Sequence, residues 1–172
     1  MDKWYDYYIK GLDKERFFSQ DLIKQEGGEV VKSNKKSDIY DHIDLVWIKD
    51  SKNITFDVKA AKKSQRSDLY PDYNIHWIEL KNVKGNPGWL FGKSDYIAFE
   101  CKDFWLCVDR INLISILKSK IDFTSISPNN GDLYTICRRH GRLDAIVKIE
   151  TSFLYNAKYF IIKKQENYES CS

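Results

Sequence analysis

The chain reads as a mixed α/β fold in a single domain. Three observations predict it: a helix-spaced apolar stripe near the start, a succession of short strands through the middle, and a second helical stripe at Ile111, Leu113, Ile114 and Leu117. A length of 172 residues suits one ordinary domain and leaves no room for two. The expected boundaries are residues 1–162 for the domain and 163–172 for a polar, flexible tail.

In chain order, Trp4 to Gln25 forms the first helix, because Tyr8, Leu12, Phe18 and Leu22 recur at helical spacing and Gly27-Gly28 supplies a C-cap. Glu29 to Lys32 is a short strand, and Ser33 to Asp38 a polar loop. His42–Ile48 and Ile54–Lys59 flank the turn-like Lys49–Asn53 and make a β-hairpin. Lys62 to Tyr73 is a loop with Pro71-Asp72 as its turn signal, and Ile75 to Leu80 a third strand. Glycines bracket Trp89-Leu90-Phe91 in a flexible connection. Tyr96–Glu100 and Phe104–Val108 follow as a strand pair. Asp109 is placed to cap the second helix. Ser127 to Asp132 reads as a turn. Leu133–Arg138 and Leu143–Ile149 fit strands or short helical turns equally well.

The composition excludes several classes. Hydrophobic residues at 42% with charged residues at 31% fit a soluble globular domain and not a disordered chain. No apolar run approaches the ~18 residues needed to cross a bilayer, and no secretory signal is visible, so a cytoplasmic protein with no membrane partner is expected. Cys101, Cys107, Cys137 and Cys171 form no CxxC pair. They read as reduced buried thiols and not as a zinc site. A net charge of +3 neither requires nor excludes nucleic acid, because binding needs a local basic patch.

The chemistry concentrates in the hairpin. Asp57 and Lys59 share one strand face, roughly 6–7 Å apart along the chain, with Phe56 and Val58 on the other. Four acid-x-Lys pairs occur, where about three are expected by chance from a composition like this, so context decides. Only Asp57/Lys59 and Glu79/Lys81 lie in apolar strands. Asp44 interrupts the apolar run Ile43–Ile48, where a buried unpaired carboxylate is costly. Either a metal explains it, or the strand is exposed on one face. Pairing parity tests this: opposite residue 57 or 59, Asp44 joins Asp57 and Lys59; opposite Val58, it points away. Glu15 lies on the apolar stripe of the first helix. There it meets a partner such as Lys59 or a metal-bound water, or it snorkels to solvent. Carboxylates with one lysine suit phosphodiester hydrolysis assisted by Mg²⁺ or Mn²⁺.

The order Glu15, Asp44, Asp57-Val58-Lys59 resembles the PD-(D/E)xK nuclease superfamily, with its restriction-endonuclease-like core of a mixed β-sheet flanked by helices. The arrangement is similar to that of archaeal Holliday-junction resolvases. Ile75–Leu80, Gly88–Tyr96 and Arg138–Arg142 are similar to segments of small phage and mobile-element endonucleases. Residue 43 is Ile where the pattern has Pro, and the acid of acid-x-Lys is Asp. The resemblance implies a metal-dependent DNA endonuclease. Asp44, Asp57 and Glu15 would be metal ligands, Lys59 the catalytic lysine, and Glu79 a supporting acid. A junction or branched substrate is one option, and a two-fold substrate would call for a homodimer. The alternative is a non-catalytic nucleic-acid-binding or interaction protein that retains the fold.

Lys62, Lys63 and Arg66 follow the acid-x-Lys strand, and Arg138, Arg139 and Arg142 form a second basic cluster. Both suit phosphate contact, and as isolated runs both also suit a solvated face. Trp89 and Phe91 either stack on bases or plug the core from their loop.

Overall fold

Helix α1 (Lys3–Glu26) ends where Gly27 turns left-handed at φ +72° and returns its N–H to the Ile23 carbonyl at 2.8 Å. The structure is a computed structural model and describes residues 3–65, 67–127 and 132–165, with side chains from Asp13 onward. Strand β1 (Glu29–Lys32) follows. The next segment is wound: Ser37–Asp41 makes one π-helical turn that overlaps the end of the expected polar loop at Ser37 and Asp38, and the strand expected from His42 starts only at Leu45. The Asn34 side chain accepts the Ser37 N–H at 3.0 Å, and His42 closes the turn in a left-handed conformation. Both ends are held by individual side-chain and backbone choices that leave no periodic trace in the sequence.

Strands β2 (Leu45–Lys49) and β3 (Lys52–Lys59) form the expected hairpin, with a tighter turn than expected. Asp50 and Ser51 both take positive φ, 51° and 61°, the two-residue geometry that matches strand twist. Strand β4 (Ile75–Lys81) leaves this sheet and pairs antiparallel with β7 (Ala145–Glu150) in a second, two-stranded sheet. Strands β5 (Tyr96–Glu100) and β6 (Phe104–Asp109) are antiparallel neighbours. Helix α2 (Arg110–Lys120) starts at Asp109, whose carboxylate accepts the Asn112 N–H at 2.8 Å. A short α3 (Thr151–Leu154) leads to β8 (Tyr159–Lys163). Of the two ambiguous segments, residues 145–150 are a regular strand, while Leu133 and Cys137 touch β7 only through isolated bridges.

The main sheet runs β1-β2-β3-β5-β6-β8, with β3 and β5 parallel and every other pair antiparallel. The result is one α/β domain. Side chains alternate across it and feed two cores. Leu45, Phe56, Ala98, Trp105, Cys107 and Ile162 pack beneath Phe18 and Leu22 of α1. Ile97, Phe99, Leu106 and Val108 face α2 and the β4–β7 pair. Phe18 is fully buried, edge-on to Phe56 at 5.1 Å and to Trp105 at 5.4 Å. Emptying such an aromatic site costs about 3–5 kcal/mol.

Polar contacts lock the ends. Glu100, buried at the end of β5, accepts Lys14 of α1 at 2.6 Å, Lys164 at 3.0 Å and the Ala61 N–H at 3.0 Å. These cations outweigh burial and hold its carboxyl below the usual range. Gln165 N–H reaches buried Asp21 at 3.0 Å, so the chain is held three residues past the expected domain boundary. The Gln25 amide spans the outer edge of β8, donating to the Ile161 carbonyl and accepting the Lys163 N–H. Cys101, Cys107 and Cys137 are buried free thiols, and Cys171 lies outside the described residues. Among the described residues no helix is long and apolar enough to cross a membrane.

The segment between β4 and β5 is fitted at both glycines. At Gly88 a Cβ would press on the Glu79 carbonyl, 2.7 Å from its carbon. At Gly92 it would lie 2.7 Å from the Asp41 oxygen and from the His42 Cβ. Backbone on the receiving side cannot yield cheaply. Gly88→Ala is expected to lower the unfolding free energy by about 2 kcal/mol, as overpacking does, and urea titration reads this directly.

Candidate active site

The hairpin register decides the position of Asp44. Leu45 pairs with Phe56, so Asp44 lies opposite Asp57. Asp57 and Lys59 pair with Ile97 and Phe99, which puts both on the face toward the second sheet. Asp44 is half-buried and is not on an exposed strand face. Its Oδ2 accepts the Val58 N–H at 2.7 Å, a donor left open because β2 starts at Leu45.

Asp57 is 1% exposed. One of its oxygens meets Lys59 Nζ at 2.5 Å, and the other, Oδ2, is buried with no hydrogen-bond partner among the described residues. Burial, reinforced by the Asp44 carboxylate, pushes the Asp57 carboxyl well above the usual range against the pull of Lys59. For Lys59 burial works against the charge, yet Asp57, Asp44 and Glu79 together hold the ammonium above the ordinary lysine range.

Glu79 belongs to this group. It is half-buried on β4, and Lys59, Lys62 and Arg139 all act on its charge, while burial raises its pKa. Trp89 forms a wall. It is 6% exposed, edge-on to Phe99 at 6.0 Å, and its ring centroid lies 5.1 Å from Lys59 Nζ. Of the two readings of its loop position, the geometry is that of a core plug, so Trp89 is not displayed for base stacking. Phe91, at 41%, is the exposed aromatic of that turn.

Glu15 stands apart. Its carboxylate takes Lys32 at 3.0 Å and not Lys59, and it lines a groove of about 330 Å³ between α1 and the β1–β2 edge. Burial and the charge of Asp44 raise its pKa, so it is felt by the pair without joining it. Two residues outside the expected set lie in the field of Asp44. Asp38, on the π turn, is raised by desolvation and by Asp44 and also senses Lys59. His42 is lowered by burial and by Lys59 while Asp44 and Asp38 pull it back. Their closeness in sequence to Asp44 was the only available signal.

The basic residues divide similarly. Arg139 is pinned by the buried Asp144, which takes both its Nε and its backbone N–H, and it stays within range of Glu79 and Lys62. Lys63, Arg138 and Arg142 are exposed, and Arg66 lies outside the described residues.

Among the described residues no three His, Cys, Asp or Glu side chains form a ready cage for a metal ion. The Asp44–Asp57 pair still fits a hard cation, since Mg²⁺ commonly takes one or two carboxylates and completes its shell with water and phosphate. The unpartnered Asp57 oxygen and the mutual repulsion of Asp44, Asp57, Asp38 and Glu15 are what a divalent charge would relieve.

Because the folded state binds a proton at Asp57 more tightly than the unfolded chain, this group contributes stability that declines as pH rises from the ordinary carboxylate range toward its raised value. Asp57→Asn removes that decline. Urea unfolding in EDTA from pH 5 to pH 8 is expected to show the variant gaining on wild type as pH rises. An offset constant with pH contradicts this.

Comparison of the chain with protein-family models, with curated proteins and with solved structures returns no match.

Proposed function

We propose that the protein is a divalent-metal-dependent DNA endonuclease with a restriction-endonuclease-like core. One observation carries the reading: two carboxylates from adjacent strands lie side by side, and one of them, Asp57, has one oxygen 2.5 Å from Lys59 Nζ and the other buried and unpartnered among the described residues. Asp44 and Asp57 would hold Mg²⁺ or Mn²⁺, which would supply Lewis-acid polarisation of the phosphate and a more acidic water. Lys59 stays protonated and places its ammonium beside the carboxylates, where negative charge builds on a phosphoryl oxygen. Glu79 and the Trp89 ring restrict where that ammonium can point. Lys62, Arg139 and the exposed Lys63, Arg138 and Arg142 form a cationic margin suited to the phosphate backbone.

A binding protein without turnover is the second reading. It is favoured by the bond from the Val58 N–H to Asp44, which gives that carboxylate a structural purpose of its own. Calorimetric titration of Mn²⁺ separates the two. The nuclease binds the ion and loses it in Asp44→Asn; a protein that binds none fits the second reading.

Asp57→Ala and Lys59→Ala are each expected to reduce plasmid nicking roughly hundredfold or more, with circular dichroism showing the fold retained. If wild-type protein with Mg²⁺ or Mn²⁺ leaves duplex, branched and single-stranded DNA all intact, the enzyme reading is wrong.

A further inference from the structure

The π turn that presents Asp38 and His42 to the site presents something else to solvent. Tyr40 is 74% exposed, and Ile39 beside it 53%. The turn is not slack. Lys93 donates its backbone N–H to the Asp41 carbonyl at 2.6 Å and its ammonium to the Asp41 carboxylate at 2.9 Å. Gly92 packs against Asp41 and His42 so closely that no Cβ fits. Tyr40 is therefore held out on a braced support.

Exposed lysines accompany it on the turn and across the joint, beside Asp38 and Asp41 of the turn itself. Lys35 and Lys36 are exposed on the preceding helical residues, four and five positions before Tyr40, a spacing that places them on its side of the turn. Lys93 is exposed across the joint, next to Phe91. An exposed aromatic with exposed lysines at positions 35 and 36 of the same winding, beside a phosphodiester-cleaving centre, has the composition of a single-strand platform: cations track the backbone while a ring stacks on a base.

We propose that this turn, with Phe91 and Lys93, docks an unpaired stretch of DNA, and that Tyr40 stacks on a base next to the cleaved phosphate. The inference rests on the endonuclease reading and narrows its substrate to DNA with an unpaired segment, such as a flap, bulge or opened junction. Duplex DNA keeps its bases stacked inside and offers Tyr40 no π-face.

The test measures fluorescence anisotropy of a labelled 12-nucleotide single strand and of the matching 12-base-pair duplex, in EDTA, with the full chain. Tyr40→Ala is expected to weaken single-strand binding roughly tenfold, Tyr40→Phe to retain it, and duplex binding to change little. Replacing Lys35 and Lys36 by Gln lowers the salt dependence of single-strand binding. Unchanged single-strand affinity in Tyr40→Ala, or an equal loss on duplex, overturns the proposal. Binding is read without cleavage, so the two readings fail separately. Tyr40-dependent binding by a protein that never cuts supports the platform and overturns the nuclease. Cutting with Tyr40-independent binding does the reverse.

Discussion

Strand β3 is covered on both faces, and the rest of the molecule is arranged around that constraint. Its even residues, Phe56 and Val58, serve the α1 core, and its odd residues, Asp57 and Lys59, face the second sheet. A strand buried on one side would leave Asp57 in water as an ordinary acid. Coverage by Trp89, β4 and β7 makes it an expensive one, the neighbouring Asp44 adds to the cost, and Lys59 is what offsets it. The parallel pairing of β3 with β5 follows from the same arrangement, since the chain must leave β3, build β4 over the face, and return to start β5 in the same direction.

The hairpin could be read from the sequence because its signals are local. Alternation fixes faces, and parity leaves two outcomes for Asp44, of which the structure takes the one that joins it to Asp57. The α1 stripe and the Asp109 cap are local in the same sense. Three features were not legible. The β4–β7 pair joins residues about seventy positions apart, and nothing in either strand names the other. The π turn depends on Asn34, which reads as part of a polar loop, and on a left-handed His42, which reads as the first residue of a strand that in fact starts at Leu45. The burial of Trp89 depends on Gly88 and Gly92 closing against other segments, so glycines that looked like a flexible joint are in fact contact points.

The site that results is partly structural and partly reactive, and the same atoms serve both. The Asp44 carboxylate completes the hydrogen bonding of β3 at Val58 while confronting Asp57. Arg139 satisfies Asp144 while reaching the field of Glu79. Glu15, by contrast, resolves its burial locally with Lys32, which is why a residue well placed on the helix stripe ends up outside the pair.

Gln25 has a consequence for how copies of the chain can meet. Its amide occupies the backbone groups that β8 turns outward at Ile161 and Lys163. That border of the sheet is thus partly occupied, which weakens it as a template for an incoming strand. The opposite border is β1, only four residues long and carrying Glu29 and Lys32 at its ends. Continuous growth of the main sheet from one copy to the next is thereby hindered at β8 and short of length at β1. A two-fold assembly on a symmetric substrate is better served by side-chain surfaces than by these two borders.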